Sequence, residues 1–222
     1  MGWYRRMGIR PYVSLLSSQA FSPSVETLEC LFPKGGPILD LGCGFGFLAN
    51  LLGMRDRFRP VVGVDRLEER VRTARRISRE LGLDHVTFLA GDLWALQLPE
   101  ERFKAISFVD VLYHLTETQQ RHLLERCFAA LSGGGSLLIR DFALHPAWKR
   151  RAFLGEETVK TFFRNTFGRG GRNGSWDGTP SLVERAVRVE WLRKLGFEVE
   201  AVEMDRGSYL PYLLYHCRKG KR

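Results

Sequence analysis

Two apolar spacings alternate along this chain. Short continuous apolar runs occur at 38–41, 61–64, 86–90, 103–109 and 136–142, and glycine, aspartate or serine stands beside each. Between them lie longer stretches whose apolar residues recur every three or four positions. The short runs read as strands buried on both faces and the longer spacing as amphipathic helices. Strands alternating with helices predict an α/β chain built around a parallel sheet.

The helical stretches have recognisable ends. Phe47 to Leu52 predicts a short helix ending near Gly53. Leu67 to Leu81 predicts a longer one, with Leu67, Val71, Ala74, Ile77 and Leu81 on one face and Gly82 as its stop. Its other side carries Arg70, Arg72, Arg75, Arg76 and Arg79, the pattern of a solvated face. Thr116 and Gln119 have capping-box spacing for a helix through Leu123, Leu124, Cys127, Phe128 and Leu131, which Ser132-Gly133-Gly134-Gly135 ends. Thr179-Pro180 opens a last helix that Gly196 closes. Two strands follow, Phe197 to Val202 and Tyr212 to Cys217. Ahead of the first strand, Ser22-Pro23 marks a helix start, so residues 1–36 predict a helical cover over one edge of the sheet.

The first strand is where chemistry enters. Ile38-Leu39-Asp40-Leu41 runs into Gly42-Cys43-Gly44-Phe45-Gly46, and a helical pattern begins at once. Glycines at a strand-to-helix turn leave no Cβ in the way, so a ligand can press against backbone amides near the helix N-terminus. Such a turn at the carboxyl edge of a parallel sheet is where open α/β folds bind cofactors. The second strand ends in Asp65, about 20 residues beyond the turn, where a carboxylate accepts hydrogen bonds from ribose hydroxyls. Gly44-x-Gly46-x-x-Ala49 also satisfies a loose dinucleotide fingerprint, so the turn alone leaves a nicotinamide dehydrogenase open.

The run Asp40-x-Gly42-x-Gly44-x-Gly46 resembles the first motif of class I S-adenosylmethionine-dependent methyltransferases. Asp110-Val111-Leu112-Tyr113-His114-Leu115, after the fourth strand, is similar to the fourth motif of that family. Glycines just before the fifth strand and a closing two-strand hairpin fit it as well. The resemblance covers 37–142 well and 181–217 in outline, and the segment Asp110 to Gln120 with Leu137 to Asp141 is distantly similar to bacterial methyltransferases associated with fatty-acyl and aryl-polyene assembly.

The family's fold is a Rossmann-like, doubly wound, three-layer α/β/α domain, with a mostly parallel seven-stranded sheet whose last strand is antiparallel. The resemblance implies S-adenosylmethionine as cofactor. Asp40, Gly42, Cys43, Gly44, Gly46, Asp65, Arg66, Asp92, Leu93, Asp110 and Val111 would bind it, with Asp65 on the ribose hydroxyls, Asp92 on the adenine amine, the Leu93 backbone amide on its ring and Asp110 beside the methionine part. His114 is the candidate general base and Tyr113 a candidate for orienting the acceptor. Residues 143–180, where Trp148, Phe153, Phe162, Phe163, Phe167 and Trp176 alternate with basic residues, are assigned as an aromatic and basic lid over an apolar acceptor pocket.

Composition narrows this only slightly. A chain of 222 residues with 44% hydrophobic content fits a single domain, divided as 1–36 cover, 37–142 cofactor core, 143–180 lid and 181–222 final helix and hairpin. No apolar run reaches the length of a membrane helix, and the N-terminal apolar stretch is too short for a signal peptide. Four cysteines without paired spacing read as reduced thiols in the cytoplasm, and the five histidines make no ligand set, so metal-independent transfer is expected. The net charge of +9 permits an anionic partner. It keeps an RNA methyltransferase as the alternative to a small or lipid-like organic acceptor. Against RNA, no separate RNA-binding module is visible and the fourth motif lacks the form used on exocyclic base amines.

Overall fold

In the computed structural model, described for residues 28–145, 147–148, 151, 154–155, 180–204 and 212–221, the chain builds one seven-stranded sheet. Its strands are β1 (Ile38–Leu41), β2 (Val61–Asp65), β3 (Val86–Ala90), β4 (Phe103–Val109), β5 (Leu131–Phe142), β6 (Phe197–Glu203) and β7 (Tyr212–Lys219). The order across the sheet is β3-β2-β1-β4-β5-β7-β6. Pairings from β3 through β5 are parallel, and β7 lies antiparallel between β5 and β6. The doubly wound expectation holds, antiparallel last strand included.

Among the described residues, α1 (Phe47–Arg55), α2 (Glu68–Glu80), α3 (Glu117–Ala130) and α4 (Arg185–Lys194) accompany the sheet. Alternate strand residues feed two apolar clusters. Leu39, Leu41, Ile106, Leu137 and Ile139 join residues of α3 and α4, whereas Ile38, Ala105 and Leu138 join those of α1 and α2. Each wholly buried Leu or Ile contributes roughly 1.5–3 kcal/mol of transfer free energy. A sheet fed from both faces therefore needs the mostly apolar runs seen in its sequence.

Boundaries depart from expectation in four places, each for a local reason. The first helix continues past Gly53 to Arg55, because Gly53 packs against β3: a Cβ there would lie 2.3 Å from a Val86 methyl. In α2, Val71, Ala74 and Ile77 are buried as expected, but Leu67 precedes the helix as its cap and is exposed. The helix α3 stops at Ala130 and β5 begins at once, ahead of the glycines. Lys219 Nζ donates to the carbonyls of Phe128 and Leu131 at 2.9 and 2.6 Å, closing the helix C-terminus from β7. The last helix starts at Arg185, not at Thr179-Pro180, because Ser181 is already engaged: its N–H donates to Tyr113 C=O at 2.8 Å. The Thr116–Gln119 capping box forms as the spacing predicts. Residues 1–27 of the cover and most of the lid assignment lie outside the described residues.

Candidate functional site

The carboxyl ends of β3, β2, β1 and β4 are consecutive neighbours, so topology brings Asp92, Asp65, the glycine loop and the 110–115 turn to one edge of the sheet. The loop obeys its sequence. Gly42, Gly44 and Gly46 all have positive φ, at 75°, 54° and 74°, a region that L side chains avoid. The three are not equivalent. A Cβ on Gly42 would lie 2.4 Å from a Val111 methyl, and one on Gly46 would meet the Phe88 ring at 2.6 Å. A Cβ on Gly44 would meet nothing within 4 Å. Gly42 and Gly46 are therefore packed into the fold, and Gly44 presents the loop's open face, the cradle that a cofactor requires.

Asp65 closes the loop from the side. Its Oδ2 accepts from the Gly44 N–H and its Oδ1 from the Leu67 N–H, both at 2.9 Å, so one carboxylate ties the glycine turn to the start of α2. Asp65 is 7% exposed and Arg66, beside it, is exposed. Gly91 N–H donates to Asp65 C=O at 3.0 Å, which stitches the β2 end to the β3 turn. In that turn Asp92 is exposed and accepts from the Trp94 N–H at 3.0 Å, while the Leu93 side chain is buried.

Beneath the loop, Asp40 is buried and accepts from the Ser107 hydroxyl at 2.8 Å, across the β1–β4 register that sets the two residues side by side. Burial pushes its carboxyl up to about 7, against the pull of the Ser107 hydrogen bond, with Asp65 adding repulsion. Cys43, within the loop, is also buried; burial, then Asp40 and Asp65, hold its thiol well above the ordinary range, so it is a packing group and not a nucleophile.

Across from the loop, β4 ends in a sharp corner. Asp110 adopts φ 58°, and a one-turn 3₁₀ helix, Leu112–His114, follows. The Asp110 carboxylate is not open to solvent. Arg140 of β5, 1% exposed, donates from Nε to Oδ1 at 2.9 Å and from Nη2 to Oδ2. Tyr113 is buried, edge-on to Phe142 at 5.3 Å, and its ring lies 4.1 Å from that of the half-buried His114. Gln120 of α3 fastens the turn's exit, donating from Nε2 to the carbonyls of Leu115 at 2.8 Å and Ser181 at 3.0 Å.

All the residues predicted for the cofactor therefore stand at this edge or directly beneath it. Sequence reasoning missed Ser107, Arg140 and Gln120 as supports. The first two lie in strands that read simply as apolar; only the register, Ser107 opposite Asp40, singles out Ser107. A buried arginine in β5 is the signal that points to Arg140, and for Gln120 the sequence offers none.

Known proteins bear on this edge directly. Residues 38–135 match a family model described as a methyltransferase domain. A ubiquinone biosynthesis O-methyltransferase from Xanthomonas axonopodis pv. citri is 27% identical over 174 residues, covering 78% of this chain and 66% of its own length. A sterol 24-C-methyltransferase from Aspergillus fumigatus is 24% identical over 188 residues, covering 81% of this chain and 45% of its own. The chain thus spans about two thirds of the first relative and under half of the second.

Two solved structures share the fold. The cyclase SpnF has a TM-score of 0.68 at 17% identity, with 92% of this chain and 82% of that one covered. An O-methyltransferase family protein from Burkholderia thailandensis has 0.69 at 15%, with 92% and 57% covered. Fold alone does not name a reaction, as a cyclase among these neighbours makes plain. The glycine cradle, Asp65 beside it and the methyltransferase-domain match over residues 38–135 together support a class I S-adenosylmethionine-dependent methyltransferase.

Proposed function

We propose that this protein transfers the methyl group of S-adenosylmethionine to a small or lipid-like organic acceptor. The observation that carries the reading is the open face of Gly44 at the sheet edge, with Asp65 on one side and the His114 turn on the other. When bound there, the cofactor supplies an electrophilic methyl on a positively charged sulfur.

The chain's own residues supply position. Asp65 already accepts one backbone N–H on each carboxylate oxygen, and each oxygen keeps a second lone pair for a ribose hydroxyl. The exposed Asp92 accepts from Trp94 through Oδ1, and its Oδ2 would be the acceptor for adenine, with the Leu93 backbone next in the chain. Asp40 supports the loop from beneath, and the open face of Gly44 would receive the cofactor. Asp110 takes part through its backbone and through Val111, since its carboxylate is held by Arg140.

For a hydroxyl acceptor, His114 takes the proton as the oxygen attacks, and Tyr113 with Phe142 forms the wall that keeps the acceptor in line. A carbon acceptor needs chiefly the positioning. The O- and C-methyl relatives support an organic acceptor without deciding between these two. The exposed Arg72 and Arg79 of α2, with the net charge of +9, keep RNA as the second reading.

The test is calorimetric titration with S-adenosylhomocysteine, followed by transfer of labelled methyl to phenolic lipids, sterols, fatty acyl compounds and tRNA. Binding in the micromolar range is expected, weakened by at least tenfold in Asp65→Ala, with label in an organic acceptor. A chain that does not bind S-adenosylhomocysteine sinks the proposal. Label found only in tRNA replaces it with the second reading. With a hydroxyl acceptor, His114→Ala is expected to lower turnover by roughly 10²–10⁴.

A further inference from the structure

Near its end β5 carries Arg140-Asp141, and each residue forms a buried ion pair on a different face of the sheet. Asp141 pairs with Arg188 of α4, whose Nη2 donates to Oδ2 at 3.0 Å. Arg140 pairs with Asp110, and this second pair is tied to a backbone corner. Asp110 is one of two described non-glycine residues with positive φ, the other being Glu101. Its N–H donates to the Arg140 carbonyl at 3.0 Å while its carboxylate takes both prongs of the Arg140 guanidinium. A left-handed aspartate persists only where its surroundings over-determine it, and such places cluster at functional sites.

Two sets of contacts run outward from the corner. On one side the Val111 methyls stand where a Gly42 Cβ would be, so the corner and the cofactor loop are in direct contact. On the other, the Arg140 guanidinium lies 4.7 Å over the Tyr212 ring, Tyr212 is 4.9 Å from Phe142, and Phe142 meets Tyr113 beside His114. The path from Asp110 through Arg140 and three aromatic rings thus returns to His114, four residues further along the same turn. Apolar residues fill buried space as well as an ion pair does, and often more stably. What a forked, charge-assisted contact adds is direction.

We propose that Arg140 is a positioning residue: its grip on Asp110 sets where Val111 stands against the glycine loop and where His114 stands against the acceptor. The part concerning the acceptor rests on the methyl-transfer reading above. The Asp141–Arg188 pair is the built-in control, with the same chemistry and depth on the opposite face of the same strand.

The test compares the neutral pair Asp110→Asn/Arg140→Gln with Asp141→Asn/Arg188→Gln, and adds Arg140→Lys, which keeps the charge but loses the fork. Three readouts need no acceptor: S-adenosylhomocysteine affinity, deuterium exchange of amides 111–116, and the His114 imidazole signals by NMR. The Asp110/Arg140 variant is expected to speed exchange in that segment by about tenfold. Roughly fivefold weaker binding and shifted His114 signals accompany it. Arg140→Lys follows in the same direction, without rescue. The control pair leaves all three within about twofold, whatever it does to the melting temperature. Equal effects from the two pairs, or an Arg140→Lys protein indistinguishable from the parent, overturn the proposal. If the parent chain does not bind S-adenosylhomocysteine, the donor reading falls, and exchange with the imidazole signals still decides for or against Arg140.

Discussion

The β3-β2-β1 half of the sheet and the β4-β5-β7 half position their functional groups by different means. In the first, backbone does the holding: glycines at positive φ, amides donated to Asp65, and a carbonyl of Asp65 receiving Gly91. In the second, buried side chains do it. Arg140 grips Asp110, Arg188 grips Asp141, and Gln120 bridges Leu115 to Ser181. A cofactor that is the same across a family suits a rigid backbone cradle. An acceptor that differs from member to member suits side chains, which can be exchanged without rebuilding the fold.

The largest expected effect lies in the second half. Arg188 is 1% exposed, and among the described residues its Nε and Nη1 have no hydrogen-bond partner, so the Asp141 contact is its chief compensation for burial there. Arg188→Met removes the partner of a carboxylate that is itself 3% exposed. Loss of one member of a buried pair costs about 3–5 kcal/mol, and Asp141→Asn in the same chain should recover much of it. Urea unfolding of the single and double variants measures this. S-adenosylhomocysteine affinity, which the proposed site assigns to the other half, is expected to stay within about twofold. A single variant as stable as the parent would show that the pair contributes nothing.

Within the first half the glycines divide. Gly46→Ala combines left-handed strain with a Cβ driven to 2.6 Å from the Phe88 ring and 2.8 Å from the Ala74 Cβ, both in the core. Strain of about 1–2 kcal/mol and overpacking of about 1–3 kcal/mol predict a loss on the order of 3 kcal/mol in stability. Gly44→Ala meets no atom and carries the strain alone, about 1 kcal/mol, yet it puts a methyl on the ligand face. It is therefore expected to weaken S-adenosylhomocysteine binding by more than its stability loss suggests. If both variants lose stability and affinity in the same proportion, the division between packed and open glycines is wrong.

The same contrast explains what was legible in advance. Strands β1 to β4 and the glycine loop follow from local chemistry, since a backbone cradle must be written as glycines and strand-end acids at fixed spacing. The capping box Thr116–Gln119 was readable for the same reason. The start of α4 was not, because Thr179-Pro180 is a sound local signal that a distant contact, Ser181 to Tyr113, overrides. Nor was the Arg140–Asp110 pair, joined across 30 positions, or the closing of α3 by Lys219. These depend on strand order, and strand order is not a local property. The resemblance to a family stood in for that information at the loop and the fourth motif, and it offered nothing on the supports behind them.

A pH-dependent effect sharpens the comparison, because it asks whether the backbone half contains a charge of its own. Burial raises the Asp40 carboxyl to about 7, above its ordinary 3.8, and burial likewise raises Asp141 to about 6 despite Arg188. In both cases the folded chain holds its proton at a pH where the unfolded chain has released it. The folded state binds more protons between about pH 4 and 7, so these groups make stability fall as pH rises through that window. His216 acts oppositely: burial and then Arg218 lower its pKa, so stability is lost as pH falls below its ordinary 6.5.

Asp40→Asn isolates the first contribution. The amide keeps an oxygen for Ser107 and cannot ionise, so the variant's advantage over the parent should widen as pH rises. Between pH 5.5 and pH 8 it should grow by on the order of 2 kcal/mol, as the parent comes to carry a buried carboxylate. Urea midpoints at the two pH values give the gap. A gap that stays constant with pH would mean that Asp40 is already ionised at pH 5.5, held by Ser107 more strongly than its burial opposes. The glycine cradle would then carry a fixed negative charge beneath it, and the two halves of the sheet would differ less than their contacts suggest.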